Sequence, residues 1–102
     1  MSITFNIDSR HIEITPAIEA YVITKMSKIA KIFTNRITTI HVILSVEKLV
    51  QTAEAEIKIA GDKNIIFAHA SSEDLYQSID KLEDKLYTQV EKYHSKLTDH
   101  DK

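Results

Sequence analysis

The spacing of apolar residues along this chain switches between two periods. Ile3, Phe5 and Ile7 alternate with polar neighbours, which predicts a half-buried strand. Polar turn formers from Asp8 to Glu13 predict a connection. The period then lengthens. Ile18, Val22, Met26, Ile29 and Phe33 recur at helical spacing, predicting a helix over roughly 16–33. Thr15 is placed to cap its free N–H groups, and Pro16 at the first helical position forgoes no hydrogen bond. Asn35 and Arg36 end it.

Alternation returns from Ile37 to Lys48. Ile40, Val42, Leu44 and Val46 face one way, and Thr39, His41, Ile43, Ser45 and Glu47 the other. A connection is expected near Leu49 to Thr52. Ala53, Ala55, Ile57 and Ile59 then mark the inner side of a third strand. The turn Gly61-Asp62-Lys63-Asn64 places the single glycine where positive φ is needed. Ile66, Ala68 and Ala70 alternate with Phe67, His69 and Ser71 in a fourth strand. The last long helix is expected from roughly Glu73 to Leu97, capped by Ser72. On a wheel of about 100° per residue, Leu75, Ile79, Leu82, Leu86, Val90, Tyr93 and Leu97 form one apolar stripe. Lys81, Lys85, Lys92 and Lys96 form a second stripe, about 100° away.

The element order is β-α-β-β-β-α, an α+β arrangement. A right-handed crossover makes the first two strands parallel, and hairpins join the rest. Each strand has one apolar face, so both helices should cover the same side of a four-stranded mixed sheet. The other face is open and mixed. The 102 residues suit one domain, 1–97, with a short polar tail at 98–102.

Composition narrows the chemistry. The chain has one Gly, one Pro and no Cys, which removes disulfides and thiolate metal sites and accords with a reducing cytoplasm. No apolar run approaches the ~18 residues of a membrane span, and the N-terminus does not read as a signal peptide. Glycine-rich phosphate loops, nucleophile elbows and zinc-protease motifs are missing. His41 and His69 share the open face but sit on strands two and four, about 9–10 Å apart across the sheet, too far to share a metal. Asp80 and Asp84 lie one turn apart, and Asp84 can reach Lys81. Neither pair suggests catalysis, so no enzyme, cofactor or metal is expected.

Charge gives the sharpest signal. The net charge is −2, yet seven of thirteen basic residues fall on the two helices. Lys25, Lys28 and Lys31 lie on the polar flank of the first. Were the helices to pack side by side, both rows could join in one basic surface of the kind phosphate backbones require. A solvated amphipathic helix would present lysines too, because lysine is a good helix former. Tyr76 and Tyr87 flank the apolar stripe on the side away from the lysines.

Taken in order, these residues resemble a known family. His11-Ile12-Glu13-Ile14-Thr15, then Lys25 and Lys28, then Val46-Glu47-Lys48 carry the first part. His69-Ala70-Ser71, Asp74-Leu75-Tyr76, Ile79-Asp80 and Asp84-Lys85-Leu86, continuing to Gln89 and Lys92, carry the second. The chain resembles the short-form bacterial ribosome hibernation promoting factors, a family shared with the ribosome-associated inhibitor, protein Y. The resemblance covers nearly the whole chain. It implies a fold similar to double-stranded RNA-binding domains. It also implies binding to the small ribosomal subunit, against 16S rRNA in the mRNA and tRNA channel, and so a cytoplasmic place.

The rRNA-binding residues it implies are Lys25, Lys28, Lys85, Gln89, Lys92 and Lys96, to which position adds Lys31 and Lys81. One departure stands out. Family members usually carry Arg where this chain has Thr88, which removes a phosphate contact. Long forms add a dimerisation domain and protein Y an extended tail, whereas this sequence stops at Lys102. The expected function is therefore that of the short factors, which with ribosome modulation factor pair 70S ribosomes into inactive 100S dimers. Alternatives are an inhibitor that silences single 70S ribosomes, or a general RNA-binding module.

Overall fold

The computed structural model describes residues 3–33, 36–61, 63 and 65–100, without the side chains of residues 33, 94 and 96–100. Expectations for Asn35, Asp62 and Asn64, and for the side chains of Phe33, Lys96 and Leu97, lie outside the described residues. The elements are β1 (Thr4–Arg10), α1 (Pro16–Ala30) with a 3₁₀ turn (Lys31–Phe33), β2 (Ile37–Glu47), β3 (Val50–Ile59), β4 (Ile65–Ser72) and α2 (Leu75–His100). This is the expected order. The sheet runs β1-β2-β3-β4. β1 is parallel to β2, and the other two pairs are antiparallel.

Both helices bury one stripe in a single core shared with one face of the sheet. Val22, Met26 and Ile29 come from α1; Ile79, Leu82, Leu86 and Val90 come from α2. The sheet contributes unequal bulk. β2 offers Ile40, Val42 and Leu44. Beneath α2, the register pairs Ala53 with Ala70 and Ala55 with Ala68, so four methyl side chains form a level floor. Such a floor lets large leucines and isoleucines above it reach the backbone, and α2 packs directly against β3 and β4.

Thr15 accepts a hydrogen bond from the Ile18 amide at 3.2 Å, with Pro16 at the first helical position, as expected. Gly61 has φ of 77°, also as expected. Several boundaries differ. β1 continues through Asp8 to Arg10, because pairing with β2 satisfies its backbone where polar composition suggested a loop. α1 ends at Ala30 and tightens into the 3₁₀ turn. The second connection shrinks to Lys48-Leu49, with Lys48 at φ 58°, and residues from Val50 pair in the ladder.

The second helix begins at Leu75, not Glu73, and runs through His100, past the expected end at Leu97. Its cap is Asp74 rather than Ser72. The Asp74 carboxylate accepts from the Tyr76 amide at 3.0 Å, and its carbonyl accepts from the Ser78 amide at 3.0 Å. Ser72 remains in β4 and bonds forward to the Asp74 carbonyl at 2.6 Å.

Ser78 is the one fully buried polar side chain among the described residues. It donates to the Gln51 carbonyl at 2.6 Å and meets the Ser72 hydroxyl at 2.7 Å. It thereby ties the first turn of α2 to β3 and to the end of β4. Replacing it removes a donor from the Gln51 carbonyl and a partner from the Ser72 hydroxyl. Ser78→Ala is expected to cost about 0.5–1.5 kcal/mol in urea unfolding, the net worth of a typical hydrogen bond. An unchanged unfolding midpoint would rule that tie out.

Candidate nucleic-acid interface

The two lysine rows do not merge. On α2 the apolar stripe faces the sheet, and the two flanks beside it differ in charge. On a wheel of about 100° per residue, Tyr76, Asp80, Glu83 and Tyr87 occupy one flank, and Lys81, Lys85 and Lys92 occupy the other. The acidic flank faces α1. Lys25 lies 3.3 Å from Asp80 and 3.7 Å from Glu83, with only 20% of its side chain exposed. Tyr21 donates to Asp80 at 2.5 Å. Its ring meets Tyr76 edge to face at 4.9 Å and lies beneath the Lys25 ammonium at 5.3 Å. A polar seam thus closes the groove between the helices, where side-by-side packing could have joined both lysine rows in one basic surface.

The lysine flank of α2 runs along the outer edge of β4. The Lys85 ammonium donates to the His69 carbonyl at 2.7 Å, and the Gln89 amide donates to the Phe67 carbonyl at 3.0 Å. These carbonyls belong to the free edge of the sheet, so both side chains close acceptors that no neighbouring strand reaches. Lys85 stays exposed. Lys81 and Lys92 are exposed on the same flank. Lys28 and Lys31 are exposed on the α1 side, and no ion pair holds either among the described residues. The side chain of Lys96 is outside the described residues.

The expected set therefore divides. Lys81, Lys85, Gln89 and Lys92 come together in one strip; Lys28 and Lys31 form a second; Lys25 belongs to the seam between them. Thr88 turns its hydroxyl back to the Asp84 carbonyl at 3.1 Å. Asp84 makes no ion pair with Lys81 among those described; Asp80, one turn earlier, is the acid with a partner. Sequence spacing missed the seam because its halves lie in different elements. Tyr21-Lys25 and Asp80-Glu83 are each a one-turn pair, and only packing brings them face to face.

The open sheet face carries another small cluster. His41 Nε2 lies 2.7 Å from Asp8 on β1, and its Nδ1 lies 4.0 Å from Glu56 on β3. His69 is on β4, opposite Glu54, with β3 between the two histidines as expected. No group of metal-ligating side chains gathers among the described residues. No helix there is long and apolar enough to cross a membrane.

A mixed four-stranded sheet, two helices on one face and a lysine strip along the edge define a small α+β domain with one exposed basic helix flank. Residues 5–98 match the family described as Sigma 54 modulation protein / S30EA ribosomal protein, and the chain belongs to that family. It is 40% identical over 95 residues to the ribosome hibernation promoting factor of Klebsiella oxytoca, covering 93% of this chain and 97% of that one. The fold matches a ribosomal subunit interface protein from Coxiella burnetii with TM-score 0.83 at 30% identity, covering 91% of this chain and 99% of that one. The N-terminal domain of Thermus thermophilus Protein Y matches with TM-score 0.78 at 29% identity and the same coverages. Membership places the chain among ribosome hibernation factors and outside the enzymes.

The seam has a pH signature. The Tyr21 hydroxyl foremost, then Lys25, holds the Asp80 carboxyl below the usual aspartate range, with partial burial opposing. Contact with Asp80 raises Lys25 and likewise raises Tyr21. A lowered acid stabilises the fold above its unfolded pKa and loses that contribution as pH falls through the lowered value. The two raised groups stabilise below their unfolded values and lose their contributions as pH rises through the raised ones. Asp80→Asn is therefore expected to lower the unfolding midpoint at neutral pH. The gap from the parent should close as pH falls below about 4, the ordinary aspartate range. A gap independent of pH would show that Asp80 acts without its charge.

Proposed function

We propose that this chain binds the small ribosomal subunit against 16S rRNA, in the channel where mRNA and tRNA sit, and silences translation by occupying it. The domain at 1–97 is the binding unit, and its working place is the cytoplasm. No bond is made or broken; the mechanism is steric exclusion. Partnership with ribosome modulation factor would then pair silenced 70S ribosomes as 100S dimers.

The observation that carries this reading is the exposed strip of Lys81, Lys85 and Lys92, in a chain of this family. Lys81 and Lys92 are eleven positions apart along the helix, about 16 Å, a length that reaches several successive phosphates. Support for the pairing role comes from the likeness to proteins named for hibernation promotion. The likeness to Protein Y favours a second reading, silencing of single 70S ribosomes. Sedimentation separates the two: a 100S peak on addition of the protein with ribosome modulation factor supports pairing, and an unshifted 70S peak supports the second reading.

Phosphate contacts make binding salt-dependent. If Lys28, Lys31, Lys81, Lys85 and Lys92 all meet phosphates, log K against log salt should slope by about −3.5 to −4.5. Lys96 would add to that slope if it too engages. Lys92→Ala should reduce the slope by about one, whereas Lys25→Ala should leave it unchanged because that charge is already paired. Co-sedimentation with purified ribosomes over a salt series measures both. A slope near zero for the parent protein would sink the electrostatic mechanism.

A further inference from the structure

We propose that the open face of the sheet docks an extended, arginine-bearing polypeptide segment. One guanidinium sits against Glu56 and Phe67, and the next against Glu54 and His69. This surface is on the side of the sheet away from the helices and their lysines. The proposal goes beyond the rRNA reading and does not rest on it.

The strand register lays out the face. Glu56 stands opposite Phe67, and Glu54 opposite His69. The Phe67 and His69 carbonyls point away from β3, where Gln89 and Lys85 meet them. Both pairs are therefore of the close, non-hydrogen-bonded kind, with Cβ atoms about 4.5–5.5 Å apart. Each carboxylate thus has a ring beside it. The Phe67 ring is 45% exposed, and the His69 ring lies 6.0 Å from it. Ile65, two positions before Phe67, is a second large apolar side chain left exposed on this face. Apolar surface left open on a formed domain is where a partner chain gains buried area.

The carboxylates here are short of cations. Glu54 is half-buried between Ile43 and His69. No hydrogen bond or ion pair holds its side chain among the described residues. Glu56 has only His41, at 4.0 Å, and that imidazole lies closer to Asp8, at 2.7 Å. Lys58, next along β3 on this face, makes no ion pair with Glu56 among those described. A cation placed over Glu54 and Glu56 is attracted by both, and a phosphate is repelled by both. That charge selects a cationic polypeptide over RNA.

The rings select arginine over lysine. A guanidinium is flat: it stacks on an aromatic face and offers two parallel N–H groups to a carboxylate. An ammonium is a compact, strongly hydrated point charge. Spacing selects the sequence of the partner. Glu54 and Glu56 are two residues apart, about 6.5–7 Å along the strand, and alternate side chains of an extended partner repeat at the same distance. An Arg-x-Arg segment lying along β3 and β4 therefore meets both pairs at once. A second copy of this chain does not supply that spacing, because its only arginines are Arg10 and Arg36.

The test uses a fluorescein-labelled peptide of four Arg-Thr repeats, with a peptide of four Lys-Thr repeats as its equal in charge. Polarisation measures affinity, and amide NMR of the isotope-labelled protein locates the site. The arginine peptide should bind roughly ten-fold more tightly than the lysine peptide, with shifts concentrated on β3 and β4. Glu54→Gln/Glu56→Gln keeps side-chain shape and should weaken the arginine peptide by about ten-fold or more. Phe67→Ala should narrow the preference for arginine. Lys81→Ala/Lys92→Ala, on the opposite side of the domain, should not weaken binding. Equal affinity for the two peptides would overturn the proposal, as would binding unchanged in Glu54→Gln/Glu56→Gln or shifts confined to the helices. The same β3 and β4 shifts on adding a short oligoadenylate would make this an RNA face instead. Shifts of those amides with protein concentration alone would assign the face to a second copy. Either result would overturn the proposal too.

Discussion

The seating of α2 on the alanines of β3 and β4 is the contact on which the other features depend. Ala53, Ala55, Ala68 and Ala70 give that half of the sheet a low relief. The large residues that complete the core there come from the helix: Ile79, Leu82, Leu86 and Val90, all fully buried. Bulk is divided between layers, so neither can be enlarged without pushing the other away. The rotation of α2 about its own axis follows from this fit. Once the apolar stripe is seated, Asp80 and Glu83 must face α1 and the lysines must face the edge of β4. Ser78, buried at the start of the helix and bonded to Gln51, holds the same rotation at one end.

That rotation sorts charge. A chain of net charge −2 has no general affinity for polyanions, and affinity has to come from local arrangement. Packing gathers acids into the interhelical seam, where Lys25 and Tyr21 engage them, and leaves Lys81, Lys85 and Lys92 exposed on the far flank. The seam performs two tasks at once. It joins the two helices through polar contacts that complement the core, and it neutralises part of the negative charge that would otherwise repel phosphates from the helix layer.

The edge of β4 shows how one side chain can serve the fold and still present charge. A free strand edge invites pairing with other chains. Here Lys85 and Gln89 cap its carbonyls from the helix above. The cap consists of a long cation whose charge remains accessible, so closing the edge also positions charge along it. Apart from the binding role proposed for them, Lys85 and Gln89 therefore have a structural one at this edge.

Most of the architecture was legible in the residues. Period-two and helical spacing, Pro16 after Thr15 and the lone Gly61 determined six elements, their order and which face of each is buried. These are local properties: a strand or helix exposes its periodicity wherever it lies in the chain. Boundaries were less legible. Asp8 to Arg10 and Val50 to Thr52 look like loops by composition and became strand because a neighbour supplied hydrogen bonds. The lysines, too, could be named from spacing, but not their assignment to separate surfaces. Whether Lys25 stays free or meets Asp80 depends on residues 55 positions further along the chain, and whether Lys85 reaches the edge of β4 depends on how a helix settles on a sheet. The sequence by itself determined the elements and the inventory of charge; the tertiary structure decided which charges are paired and which remain open, because long-range electrostatic partners are set by packing and not by periodicity.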